Sequence, residues 1–166
     1  MNKWFLVFML VTSVLWGCEK SEAGYTDRGD HLPEKLNTAI SNFVIDEYAD
    51  VYDDKDQLFE VHKVYGTHEE NGKMTVYLYS YMVGMKKGSE PSGHIVPAVI
   101  KLKKEAEGYT FISYKEPEDG TRNQSSLEKL FPDRYLESVR EDTGNLDALM
   151  EEMEKKVELW VNEGQN

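Results

Sequence analysis

The chain has a single cysteine, Cys18, in 166 residues, which excludes an internal disulfide framework and a cysteine-based zinc site. Basic residues are also scarce. Nineteen Lys and Arg stand against 31 Asp and Glu, a formal net charge of -12. A protein that tracks nucleic-acid phosphates needs a basic face, so this balance argues against a nucleic-acid partner. The uncharged run Trp4 to Trp16 falls short of the roughly 18 to 20 residues that span a bilayer as a helix. Missing too are a Gly-x-Ser-x-Gly elbow and a His-Glu-x-x-His pair, the usual footholds for nucleophilic catalysis and helix-borne zinc. What remains is 40% hydrophobic, enough for one cored domain and too little chain for two.

Met1 to Cys18 reads as an export signal. Lys3 and the terminal amine make a small positive region, and Trp4 to Trp16 fits the roughly 7 to 15 apolar residues of a signal core. The run closes on Leu15-Trp16-Gly17-Cys18, which resembles the lipobox of bacterial lipoproteins. Leu15 and Gly17 match its apolar and small positions, while Trp16 departs from the usual small residue. The resemblance implies a signal peptide over 1–17 and a Cys18 that carries a diacylglycerol and an N-acyl chain such as palmitate. It also implies a place on the extracytoplasmic face of the cell membrane. An uncleaved anchor and a buried structural thiol are the alternative readings. Two or more acyl chains give stable attachment, where one is marginal. Loss of Lys3 with the signal would take the formal charge from -12 to -13. So acidic a body is repelled by anionic headgroups, leaving the tether to hold it at the membrane.

Residues 18–31 read as a flexible tether, polar and without an apolar period, with a random-coil reach of roughly 20 Å. A single domain is expected over 32–166. From Pro33, the spacing of Leu36, Ile40, Phe43, Val44, Tyr48 and Val51 makes one helical stripe. Four strand-like runs follow: Leu58 to Tyr65, Lys73 to Val83, His94 to Lys103 and Tyr109 to Lys115. Asn71-Gly72 between the first two is a strong hairpin signal. Ser125 with Glu128 makes a capping box for a short helix, a second short helix is expected around Tyr135 to Val139, and Asn145 is placed to cap a final one. The expected fold class is α+β: an N-terminal helix packed on a four-stranded antiparallel meander, then C-terminal helices, cystatin-like or NTF2-like in outline.

Few constellations carry chemistry. Tyr77, Tyr79 and Tyr81 project to one side of the second strand, opposite Met74, Val76, Leu78, Ser80 and Met82. Such a row serves either as a partner-binding platform or as ordinary sheet packing. His31, His62, His68 and His94 make no ligand spacing, and Asp53-Asp54-Lys55-Asp56 lacks the calcium-loop glycine and distal glutamate. No metal and no cofactor beyond the lipid is expected. Lys86, Lys87, Lys101, Lys103 and Lys104 form the one basic concentration and read as protection of an edge strand.

The stretch Tyr114-Lys115-Glu116-Pro117-Glu118-Asp119-Gly120, followed by Leu127-Glu128-Lys129-Leu130-Phe131-Pro132, is distinctive. With Leu36-Asn37-Thr38-Ala39-Ile40 and the Pro97 strand, it resembles a domain of Gram-positive bacteria. That domain occurs in small lipoproteins and as the extracytoplasmic C-terminal part of BlaR1-like membrane sensors of the M56 peptidase family. The resemblance implies no catalytic residue. It implies a non-enzymatic binding or accessory domain for a membrane-protein or envelope partner. Tyr114, Lys115 and Glu116 are candidate contacts beside the three tyrosines, although Pro117 and Asp119-Gly120 also make sense as a rigid turn. A cell-envelope hydrolase using paired carboxylates and a cystatin-like inhibitor are the alternatives. The inhibitor reading lacks its Gln-x-Val-x-Gly loop. Acyl labelling in cells, palmitate included, is expected to disappear in Cys18→Ala; labelling that survives would refute the anchor.

Overall fold

The computed structural model describes residues 24–27, 32–143 and 145–163. The signal segment, Cys18 and His31 lie outside the described residues. The elements run β1 (Tyr25–Asp27), α1 (Glu34–Tyr48), β2 (Gln57–Glu70), β3 (Lys73–Met85), β4 (Ser92–Lys104), β5 (Tyr109–Lys115), α2 (Asn123–Leu130), α3 (Asp133–Asp142) and α4 (Asp147–Glu163). A 3-10 turn over Gly120–Arg122 leads into α2. The strands form one sheet in the order β1-β2-β3-β4-β5, antiparallel throughout. The class is α+β, as expected.

Two features of the expected architecture are corrected. The sheet has five strands, because Tyr25–Asp27, within the stretch read as tether, pairs with Gly66 to His68. The first helix is therefore not the first element of the fold. Tyr25 explains why so short a segment is held. Its ring lies 4.3 Å from His68 and packs near Tyr77 and Tyr135, while the Arg134 guanidinium sits 4.9 Å over it. Asp27 accepts from Tyr135 Oη and Arg134 Nη2.

β3 alternates as its sequence implies. Met74, Val76, Leu78 and Met82 join Leu36, Ile40 and Val44 of α1, together with Ala98, Ile100 and Leu102 of β4, in one core. Tyr77, Tyr79 and Val83 join Leu127, Phe131, Tyr135, Leu136, Val139, Leu149 and Met153 of the C-terminal helices in the other. The sheet is thus closed by helices on both faces. Asn71 (φ 51°) and Gly72 (φ 71°) both adopt positive φ, the signature of the tight β2–β3 hairpin. Pro97 faces Tyr79 of β3, and β5 pairs with β4 only from Val99 onward. One side of β4 is therefore unpaired at Pro97, where a strand tolerates proline.

Other local expectations shift. The Ser125–Glu128 box is not used: α2 begins at Asn123, Ser125 Oγ donates to Arg122 O, and Ser126 Oγ receives Glu118 N–H. α4 begins at Asp147, so Asn145 stays in the connection, where its N–H donates to Asp142 O. The lysines of β4 do not guard an edge, since β5 lies outside them.

The β2–β3 register slips between Val64 and Gly66, and a Cβ on Gly66 would run into the Tyr135 phenol and come within 2.9 Å of Thr26 O. Gly66→Ala is therefore expected to lower stability by about 1–3 kcal/mol through overpacking, read as a fall in the urea midpoint. An unchanged midpoint would show that β1 and α3 are not seated as described.

Candidate functional site

β1 covers only Gly66 to His68 of β2, so among the described residues no strand pairs with the outer side of residues 57–64. Along this edge runs a cleft of about 590 Å³. Residues 61–64 line its floor, Leu32, Asn37 and Ser41 one wall, and Ala148, Leu149, Glu152 and Lys156 the other. The walls stand where they do because α1 is packed on one face of the sheet and α4 on the other.

A buried carboxylate lies one residue before the floor of the cleft, outside its lining. Glu60 is 1% exposed. Its Oε1 accepts from Ser80 Oγ at 2.8 Å, and its Oε2 from Ser41 Oγ at 2.7 Å. His62 Nδ1 lies 3.0 Å from the same Oε2. Ser80 stands opposite His62 in the β2–β3 register, so one carboxylate collects donors from α1, β2 and β3. Burial pushes the Glu60 carboxyl up, but His62, Ser41 and Ser80 outweigh it and hold the group below the ordinary carboxylate range. His62 is 2% exposed along its side chain. Its Nε2 is buried with no hydrogen-bond partner. This is not a nucleophilic triad: serine and histidine both bond to the carboxylate, and no hydroxyl reaches His62 Nε2. At the outer side of the strand, Lys156 Nζ donates to Glu60 O at 2.8 Å.

A second cluster forms where the end of α1 meets β4 and β5. Tyr48 Oη and Tyr114 Oη both donate to Glu116 Oε1, the latter at 2.8 Å. His94 Nε2 lies 3.9 Å from the same oxygen, and its ring sits 4.2 Å from that of Tyr48. Tyr52 Oη is 3.0 Å from His94 Nδ1. Burial, with Asp119 and Glu47 adding, pushes the Glu116 carboxyl up to about 7. Burial lowers His94 and raises Tyr52 and Tyr114.

The structure thus brings Tyr114 and Glu116 together and leaves Lys115 exposed on the strand. The open aromatic platform is corrected: Tyr77 and Tyr79 are 7% and 5% exposed, under the C-terminal helices. Those helices carry their own apolar stripes, and the tyrosine face is the surface that buries them. Tyr81 keeps a partly open side, in a groove of about 380 Å³ beside Met153 and Val157. His62, His68 and His94 lie in separate surroundings. Among the described residues no group of three or more His, Cys, Asp and Glu side chains could hold a metal ion. None of the described helices is long and apolar enough to cross a membrane.

Ser41, Glu60, His62 and Lys156 were not singled out together by the sequence. The available signal was the pair Glu60 and His62, which share strand parity with Leu58 and Val64 on the inward face. No protein-family model, curated protein or solved structure matches the chain.

The two carboxylates act on stability with opposite sign. The contribution of Glu60, whose folded value is depressed, is complete above its ordinary 4.5 and is lost as pH falls further. That of Glu116 is complete below 4.5 and is lost as pH rises through about 7. Urea unfolding of Glu116→Gln is therefore expected to show a flatter decline in stability between about pH 5 and about pH 8 than the parent chain. An identical slope in the two proteins would remove Glu116 as the titrating group.

Proposed function

We propose that this protein is a lipid-anchored extracytoplasmic lipoprotein whose folded domain binds a protein partner in the membrane or envelope and performs no chemistry of its own. The observation that carries the binding role is the cleft floored by residues 61–64 of β2 and walled by residues of α1 and α4. Pre-formed concavities with a few placed polar groups are where ligands bind. The anchor rests on Leu15-Trp16-Gly17-Cys18. The Tyr114 to Gly120 stretch and the α+β order of elements favour kinship with the ectodomains of BlaR1-like sensors and a cystatin-like or NTF2-like outline, and hence an accessory role at a membrane sensor. Against a carboxylate hydrolase stands the engagement of Glu60, whose two oxygens already serve three neighbours away from solvent. Glu116 would have to work without it.

In-cell crosslinking and pull-down of the tagged chain, beside a Cys18→Ala control, tests this reading. A membrane or envelope protein recovered with the anchored form and lost with the control is expected. Recovery of the same background from both forms would refute it.

A further inference from the structure

α4 divides two hollows. On one flank lies the β2 cleft, and on the other the groove of about 380 Å³ that holds Tyr81. The floor of this groove is the end of β3, where Tyr81, Val83 and Met85 share one face by strand parity. Gly93 stands directly opposite Val83 and carries no side chain, so the sheet is low there. The wall is the Met150, Met153, Val157 stripe of α4, spaced as one helix face. Met150, at the rim, is 50% exposed. Open apolar hollows with polar rims mark interaction sites, and methionine adapts to side chains of different shape.

The rest of the mature chain does not fill it. Gly24 O accepts from Glu69 N–H, and Glu69 stands opposite Met74. Met85 lies eleven residues farther along β3, about 36 Å at roughly 3.3 Å per residue. Residues 18–23 span at most about 22 Å. Residues 28–31 are tied at both ends, to Asp27 beside Gly66 and to Leu32 at the β2 cleft. Gly164, Gln165 and Asn166 offer no apolar side chain.

Charge and backbone say what does. The lining holds two carboxylates, Glu154 and Glu158, and no Lys, Arg or His; both are exposed. Lys155 is held by Glu151 at 2.7 Å, and Lys86 leans toward Asp54. Even with every lysine counted, α4 has six acidic and two basic residues and the 86–91 loop one acidic and two basic, a formal -3. The groove therefore favours a cationic partner. β4 gives an added strand a broken row of donors, because Pro97 has no N–H. The stripe from Met150 to Val157 is about 10 Å long, which matches two turns of an incoming helix.

We infer that this groove takes a basic amphipathic helix of a partner protein, with apolar side chains between Met85 and Met150 and its Lys or Arg side chains on Glu154 and Glu158. Helix-in-groove recognition of this kind reads apolar anchors at helical spacing. The groove shares no lining residue with the β2 cleft, so it adds a second site to the binding reading.

Methionine methyl NMR tests it on residues 18–166 carrying Cys18→Ala, with the Met74 and Met82 signals of the full Cys18→Ala chain as the check on fold. The probes are a short helical peptide with Leu on one face and Lys on the other, and a twin with Glu for every Lys. The Lys peptide is expected to shift the Met85, Met150 and Met153 methyls and to leave Met74 and Met82, in the α1-side core, unmoved. Glu154→Gln with Glu158→Gln is expected to weaken binding several-fold at low salt and little at high salt. Met150→Ser is expected to weaken it several-fold at both.

No shift at those three methyls, or equal binding of the Glu twin, would overturn the inference. Shifts with protein concentration alone would overturn it in favour of a second copy. Distinct Met85 and Met150 signals in the full chain would overturn it in favour of the chain's own residues 4–16. Failure here with a partner still recovered by crosslinking would discard this groove alone and leave the partner-binding reading standing.

Discussion

β3 sits at the middle of the sheet with apolar side chains on both faces, and the layering of the protein follows from that constraint. Each large apolar side chain gains about 1.5–3 kcal/mol when taken from water. Leaving either row exposed would forfeit several such contributions. The Met74, Val76, Leu78, Met82 row is closed by α1, a helix of 15 residues and so about 22 Å long. The tyrosine row is bulkier and needs three helices. Tyr77 packs against Phe131 and Tyr135 at ring separations of 5.8 and 5.3 Å, and Tyr65 Oη donates a hydrogen bond to Asp142 at the end of α3.

Apolar burial has no direction, so it does not settle how α1 sits on the sheet. Glu60 supplies the direction. Its carboxylate is shared by Ser41 of α1, His62 of β2 and Ser80 of β3, and these bonds are made together only in one placement of the helix. A buried charge is tolerable when its lone pairs are all used. Here three hydrogen bonds serve its two oxygens, while His62 Nε2 is left without a partner. The Glu116 cluster at the other end of α1 shows the contrasting case. There, phenol donors meet a carboxylate that neighbouring acids and burial push toward the neutral form.

The open edge of β2 is a consequence of the same layering. With β1 three residues long, most of the 14-residue β2 has no pairing strand on its outer side among the described residues. Natural sheets blunt such edges with charge, proline or a covering element. This one is flanked by two helices, and the side chains of Gln57 and Lys156 bond its carbonyls at Leu58 and Glu60.

Periodicity alone was enough to read α1, the four longer strands and the Asn71-Gly72 hairpin, because helix and strand patterns and positive-φ turns are local properties. It was also enough to read the two-faced character of β3. The sequence by itself therefore determined the types of the longer elements, the α+β class, the acidic character and the lone cysteine. Only the tertiary structure decided that Tyr25 recruits a fifth strand, that the C-terminal helices claim the tyrosine face, and that Ser41, His62 and Ser80 meet on the Glu60 carboxylate while Lys156 reaches its carbonyl. The bonds from Ser41, Ser80 and Lys156 join residues 19 to 96 positions apart. Their energy depends on which apolar faces find each other, and no local pattern records that choice.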